Sequence, residues 1–337
     1  MKKLKAGIIG LGVGEAHIKG YHKHPNCEVV ALCDFSPEKS ENAKNKYPHL
    51  KICSNADEIL TDPTIDVVSI ASFDNYHHEQ IVKAIENNKH IFVEKPLCLF
   101  ESEAIDIYER LIQKPHLKIS SNLILRLTPR FILLKEKIQK QEMGKVYYIE
   151  GDYNFGRLQK MTEGWRGKIP FYSAVYGGGI HLIDLMLWLT HDRVKEVSAV
   201  GNKICSEGSS FKNNDMVASL LTFESGMIGK MAVNLGCVQP HFHNLNIYGT
   251  EATFTNTFQD YGLYYTSRDK EIEPKKVKEA YPGAEKGDLI CNFVDSIFAD
   301  QEPIISKKDI FDILSVCFAI EKAVNTSQSV KVNYIYK

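Results

Sequence analysis

Nothing in this 337-residue chain approaches the roughly 20 consecutive apolar residues that span a bilayer. Charge of one sign is missing too: 41 Lys and Arg face 42 Asp and Glu, a formal net charge of −1, with neither a basic stripe nor an acidic tail. Nucleic-acid or membrane binding driven by bulk charge therefore has no footing. The eight cysteines (Cys27, Cys33, Cys53, Cys98, Cys205, Cys237, Cys291, Cys317) form no C-x-x-C pair, which excludes the usual zinc spacings and reads as buried thiols without a disulfide framework. The apolar run after the basic opening residues is cut by Gly7, Gly10, Gly12 and Gly14, so it lacks the uninterrupted core of a secretory signal. The expectation is a cytoplasmic protein. Internal repeats and low-complexity tracts are absent.

What is present is ordinary for a globular protein, 44% hydrophobic and 25% charged, and long enough to expect two domains. Residues 5–9, 29–33, 66–71 and 90–93 are short β-branched or aromatic runs ended by turn chemistry. Amphipathic stretches separate them, such as 77–87 with Ile81, Ala84 and Ile85 at helical spacing. That alternation predicts a doubly wound parallel sheet covered on both faces, over residues 1–120. The rhythm then changes. A helix over 128–141 carries Pro129 in its first turn, and Gly144 ends it; a strand over 146–153 and a helix over 179–190 follow. Strand patterns near Lys195, Met216, Met227, His243 and Ala252 come without helices between them, and helices over 284–299 and 307–324 close the chain. Residues 121–337 are expected to form an α+β domain with a large, mainly antiparallel open sheet.

Gly10, Gly12, Val13 and Gly14 follow the first strand and open a helix. Glycines there let backbone N–H groups approach a pyrophosphate at the helix N-terminus. The G-x-G-x-x-G form is incomplete, because Glu15 stands where its third glycine would be. Asp34 ends the second strand, placed to accept the ribose hydroxyls of a dinucleotide and to repel a 2′-phosphate. With no Arg or Lys in Asp34-Phe35-Ser36, the reading favours NAD over NADP. An Asp that merely caps the next helix is the plainer alternative.

Two further loops fall at the carboxyl edge of the parallel sheet, where ligands bind: one over 71–77 with Ser72, Asn75 and His77, the other Glu94-Lys95-Pro96. A Glu-Lys pair against a buried strand is costly unless it is hydrogen-bonded or functional, so a structural ion pair and a catalytic lysine both stay open on the residues alone. Together with Gly177-Gly178-Gly179-Ile180-His181-Leu182-Ile183-Asp184, these motifs resemble the glucose–fructose oxidoreductase / inositol dehydrogenase / MocA-like family, over nearly the whole chain.

The resemblance implies that Lys95 is the catalytic lysine and that Glu94, Ser72 and His77 belong to the cofactor region. It also implies a cis Lys95–Pro96 bond, and Trp165 and Arg166 at the nicotinamide end. His181 and Asp184 share one face of a helix, a place for a substrate hydroxyl. Asn122, Arg126 and Tyr172 are further substrate-binding candidates. One departure stands out. Members of that family carry an Asp four residues before the histidine, where this chain has Gly177, leaving Asp184 or Tyr172 to stand in. His241 and His243 share a strand face but lack a third ligand at metal spacing, so no metal is expected.

The expected reaction is hydride transfer between nicotinamide and a carbinol carbon of a sugar, cyclitol or nucleotide sugar, with Lys95 and His181 at the reacting hydroxyl. A dinucleotide-binding regulator of the same fold, or a glycosidase or epimerase with internal redox, remain alternatives. An open sheet face leads to the expectation of a homodimer or homotetramer.

Overall fold

The computed structural model describes residues 3–337, and the chain divides into two compact units. Of the described residues, the first holds 3–124, 285–311 and 335–337; the second holds 125–284 and 312–334. A single cut at residue 120 is thus simpler than the division found: the chain leaves the first unit after Ile124 and comes back to it twice.

In the first unit, strands β1 (Leu4–Ile9), β2 (Cys27–Cys33), β3 (Lys51–Cys53), β4 (Val67–Ile70), β5 (His90–Val93) and β6 (Ile119–Ser121) form one sheet in the order β3-β2-β1-β4-β5-β6. Every pairing is parallel. Central strands carry apolar residues at successive positions (Ala6, Ile8, Ile9; Val67, Val68, Ile70) because both faces are covered. The covering helices are α1 (Gly14–Lys23), α2 (Pro37–Lys46), α3 (Asp57–Leu60), α4 (His77–Glu86) and α5 (Glu101–Gln113). Their buried residues recur at helical spacing: His17, Ile18 and Tyr21 in α1; Ile81, Ala84 and Ile85 in α4; Ala104, Ile107 and Leu111 in α5. The order reverses between β1 and β4, so the loops after those strands diverge at a crevice on the carboxyl edge.

The second unit begins with α6 (Pro129–Gln139) and is built on a nine-stranded sheet. Its strands are β7 (Val146–Asn154), β8 (Val194–Asn202), β9 (Met216–Phe223), β10 (Ile228–Asn234), β11 (Phe242–Gly249), β12 (Thr253–Thr255), β13 (Gly262–Tyr265), β14 (Lys275–Val277) and β15 (Val330–Lys331), in the order β14-β13-β12-β11-β7-β10-β9-β8-β15. All neighbours are antiparallel except β7 and β10. The exception follows from the connection. After β7 the chain runs through α7 (Gln159–Thr162) and α8 (Ile180–Thr190), starts again at β8, and meanders inward until β10 reaches β7 in the same direction.

Helix α8 covers one face of this sheet, with Leu182, Ile183, Leu185, Met186 and Leu189 all buried. The opposite face carries Val200, Leu220 and Ile228, at 70%, 58% and 52% exposure, so it is open in the single chain. Helix α9 (Asp288–Ala299) belongs to the first unit, and α10 (Lys307–Thr326) passes from the first into the second. All eight cysteines are free thiols; Cys27, Cys33, Cys53, Cys98 and Cys317 are buried as expected, whereas Cys205 is exposed and Cys237 and Cys291 are half-buried. Among the described residues no helix is long and apolar enough to cross a membrane.

Candidate active site

In the first unit, candidate site residues gather at the switch point of the parallel sheet. Gly10 adopts φ +89°, and a Cβ there would sit 2.3 Å from the Ala71 carbonyl oxygen, so only glycine lets the loops after β1 and β4 touch. Gly12 is different. A Cβ on it would meet nothing nearer than Lys39 Nζ at 3.6 Å, so the turn's outer surface is an open cradle. Val13 and Gly14 lead into α1, whose first N–H groups have no partner within the helix. A turn that is tight on the sheet side and open on the other fits the pyrophosphate of a dinucleotide.

Asp34 is nearly fully buried. Its Oδ2 accepts from the Leu11 N–H at 2.7 Å and lies 3.5 Å from Lys39 Nζ, and its Oδ1 accepts from the Ser36 N–H at 2.9 Å. The carboxylate therefore ties the glycine turn to the end of β2. Lys39 is the residue that inspection of the Asp34 triplet misses: Ser36 caps α2, and one turn later Lys39 reaches back over Asp34. Phe35 is exposed and lies edge-on to Phe73 at 5.3 Å.

Ser72 Oγ donates to Gln80 Oε1 at 2.8 Å, and Asn75 is exposed in the turn before α4. His77 is fully buried between two carbonyl oxygens, of Pro96 at 2.7 Å and of Ser72 at 3.3 Å. It clamps the loop after β4 to the one after β5. The Lys95–Pro96 peptide bond is cis, as the resemblance implies, and Tyr281–Pro282 is cis as well. Lys95 itself is half-buried.

Glu94 Oε1 accepts from Asn122 Nδ2 at 2.7 Å and faces His17 Nε2 at 3.2 Å. Burial alone would raise its carboxyl, but hydrogen bonds from His17 and Asn122 and the charges of His17 and Lys95 outweigh burial and hold it down at about 2. Asn122, read from sequence as a substrate contact, is buried in the first unit with Glu94 as partner.

In the second unit, Gly177, Gly178 and Gly179 lie in a π-helical turn that runs into α8. Three side chains press on them. A Cβ on Gly177 would fall 1.9 Å from Tyr172 Oη, one on Gly178 would fall 2.5 Å from the Tyr153 ring, and one on Gly179 would fall 2.8 Å from Val233. Where the family motif places an Asp, this chain places the phenol of Tyr172. Trp165 and Arg166 surround that phenol, with the Trp165 ring edge-on at 6.4 Å and the Arg166 guanidinium 5.9 Å from the Tyr172 ring.

His181 is buried, its ring 6.4 Å from Tyr153 and 6.0 Å from His243. His243, on the inner face of β11, meets Tyr281 Oη through Nδ1 at 2.7 Å and through its backbone N–H at 2.9 Å. His241 is 4.8 Å from His243, ring to ring. The sequence places these two histidines on one face but cannot connect them with His181 or Tyr281, because the partners come from different elements. Asp184 is fully buried and paired with Arg126, Nε to Oδ1 at 2.8 Å and Nη2 to the same oxygen at 2.6 Å. It thus neutralises a buried guanidinium. Among the described residues no group of three His, Cys, Asp or Glu could hold a metal ion.

Comparison with known proteins identifies the family. Residues 4–122 match an oxidoreductase family with an NAD-binding Rossmann fold, Gfo/Idh/MocA, and residues 131–255 match the Gfo/Idh/MocA C-terminal domain. A myo-inositol 2-dehydrogenase of Thermotoga maritima is 22% identical, covering 98% of this chain and 99% of its own. A levoglucosan dehydrogenase, solved with NADH and L-sorbose, superposes with a TM-score of 0.87 at 21% identity over 99% of this chain and all of its own. A scyllo-inositol dehydrogenase from Lactobacillus casei, solved with NAD(H) and scyllo-inositol, gives 0.80 at 20% identity over 98% and 99%.

Proposed function

Because the chain belongs to the Gfo/Idh/MocA family of NAD-binding oxidoreductases, we propose that it moves a hydride between NAD and a ring carbinol carbon of a sugar, cyclitol or nucleotide sugar. The observation that carries the reading is the placement of Lys95. It follows a buried strand at the carboxyl edge of the sheet that also carries the open glycine turn, and it is adjacent to an ionised Glu94. The inositol and levoglucosan dehydrogenases among its relatives support a polyol substrate.

Gly12, Val13 and Gly14 would hold the pyrophosphate, Asp34 the adenosine ribose, and Phe35 would border the adenine, with residues 1–124 as the NAD-binding part and the second unit as the substrate-binding part. Bound NAD supplies the hydride acceptor. On the protein's side, Lys95 Nζ polarises the substrate hydroxyl or takes its proton. His181 acts on the same hydroxyl, and Tyr172 supplies the polar contact at Gly177. Arg166 and Trp165 orient the reacting ends.

Lys95→Ala should lower turnover about 10²–10⁴-fold while leaving the NAD dissociation constant within a factor of about three. The check is to follow NADH formation and substrate consumption together, across free sugars, inositols and nucleotide sugars. Near-wild-type turnover in the variant removes Lys95 from the mechanism. Consumption without NADH points to internal redox, and tight NAD binding without conversion points to a regulator. The open face of the nine-stranded sheet supports a homodimer or homotetramer as the working assembly.

A further inference from the structure

A buried polar chain behind Lys95 has no part in the chemistry so far. His17, in the middle of α1, has no exposed surface, so its imidazole must find partners inside the protein. Nδ1 meets Ser69 Oγ of β4 at 2.9 Å, and Nε2 meets Glu94 Oε1 at 3.2 Å. A carboxylate only accepts, so Nε2 carries the proton and donates. Asn122 Nδ2, just past β6, donates to the same oxygen at 2.7 Å. Phe92 holds the imidazole edge-on at 5.3 Å. Two donors from separate parts of the chain, His17 of α1 and Asn122 past β6, thus converge on one oxygen of the residue before Lys95. From the far side, His77 Nδ1 grips the Pro96 carbonyl at 2.7 Å, so the Glu94-Lys95-Pro96 segment is held at both ends.

We propose that His17 is a positioning residue for Lys95: with Asn122 it pins Glu94, fixing the backbone from which Lys95 departs and keeping a carboxylate charge beside its ammonium. A purely structural histidine would be served by any buried polar contact. This one is aimed at the lysine's neighbour, in a water-poor setting where a charge-assisted bond is strong. The inference rests on the reading of Lys95 as the proton-handling group.

The experiment compares wild type with His17→Ala, His17→Gln, Glu94→Gln and the His17→Ala/Glu94→Gln double variant. In His17→Ala, kcat should fall about 10²-fold, the scale of a ~1 Å misplacement, while the NAD dissociation constant and the substrate KM change less than about threefold. Gln reaches Glu94 with an amide N–H and should restore most of the loss. The double variant should be no slower than the slower single, because both changes break one interaction. A readout independent of turnover is the ¹³C-carboxyl NMR titration of Glu94 in the full-length protein, whose midpoint should move up in His17→Ala.

Several outcomes overturn the proposal. A normal kcat with a lowered Tm makes His17 structural only. Equal losses in kcat and NAD affinity make it part of the cofactor site, and additive losses separate it from Glu94. If wild type converts nothing offered, the proposed reaction fails; an unmoved Glu94 midpoint then still rejects the His17–Glu94 link.

Discussion

Asp34 accepts two backbone N–H groups and stands beside a lysine before any ligand arrives. Lys39 Nζ is 3.5 Å away on a side chain that is 45% exposed, so the pair adds little to stability. Its consequence is for ligand choice, since a cation beside the ribose site softens the repulsion that Asp34 exerts on a 2′-phosphate. Wild type should bind NAD more tightly than NADP, and Lys39→Ala should widen that preference about fivefold, on the order of 1 kcal/mol. Fluorescence titrations with both dinucleotides, at low and high salt, check this; an unchanged ratio would show that Lys39 does not reach the phosphate. Asp34's position at the end of the second strand was legible from the strand pattern, but its bonds to the Leu11 and Ser36 N–H groups were not. Lys39 was not, because five residues in sequence become neighbours only once Ser36 starts a helix. Glu94 and Lys95 were legible as a pair, but the hydrogen bonds that hold Glu94 come from residues 77 positions before it and 28 after it.

Helix α1 owes its place to two glycines as much as to its apolar face. A Cβ on Gly20 would lie 2.4 Å from the Gly287 carbonyl oxygen and 3.0 Å from Ile290 Cδ1, at the start of α9. The two backbones meet there without a side chain between them. Gly20→Ala should destabilise the protein by about 1–3 kcal/mol, since the backbone oxygen cannot yield as a flexible side chain would. Urea unfolding at constant m-value measures it, and a variant within 0.5 kcal/mol of wild type, inside the ordinary ~0.5 kcal/mol range for surface changes, would mean that α9 shifts freely. The helical pattern over 284–299 was readable, but which sheet that helix covers was not, because periodicity records a buried face and not its partner. Strand β3 escaped notice for a related reason: three edge residues, two of them not buried, carry too little pattern. The parallel pairing of β7 with β10 is invisible from either strand alone and arises from the order in which the meander is laid down.

Across the whole molecule, the antiparallel sheet and its uncovered face could be foreseen from successive strands without intervening helices. Val200, Leu220 and Ile228 project from three adjacent strands of that face, flanked by the polar row Glu150, Asp152 and Lys230. An assembly through this face predicts a solution mass at least twice the 38.2 kDa of one chain, and Leu220→Arg should drive it toward monomer. Light scattering after size exclusion decides the matter, and a wild-type monomer at micromolar concentration would reject the assembly.

The two returns of the chain to the first unit could not be foreseen, because the composition shift near residue 120 hides them. They impose a schedule on biosynthesis. All six parallel strands leave the ribosome early, yet the helix that packs on Gly20 cannot form until residues 125–284 have been made. The nascent first unit must therefore wait with the α9-binding surface of α1 bare, a stretch when a chaperone has most to protect.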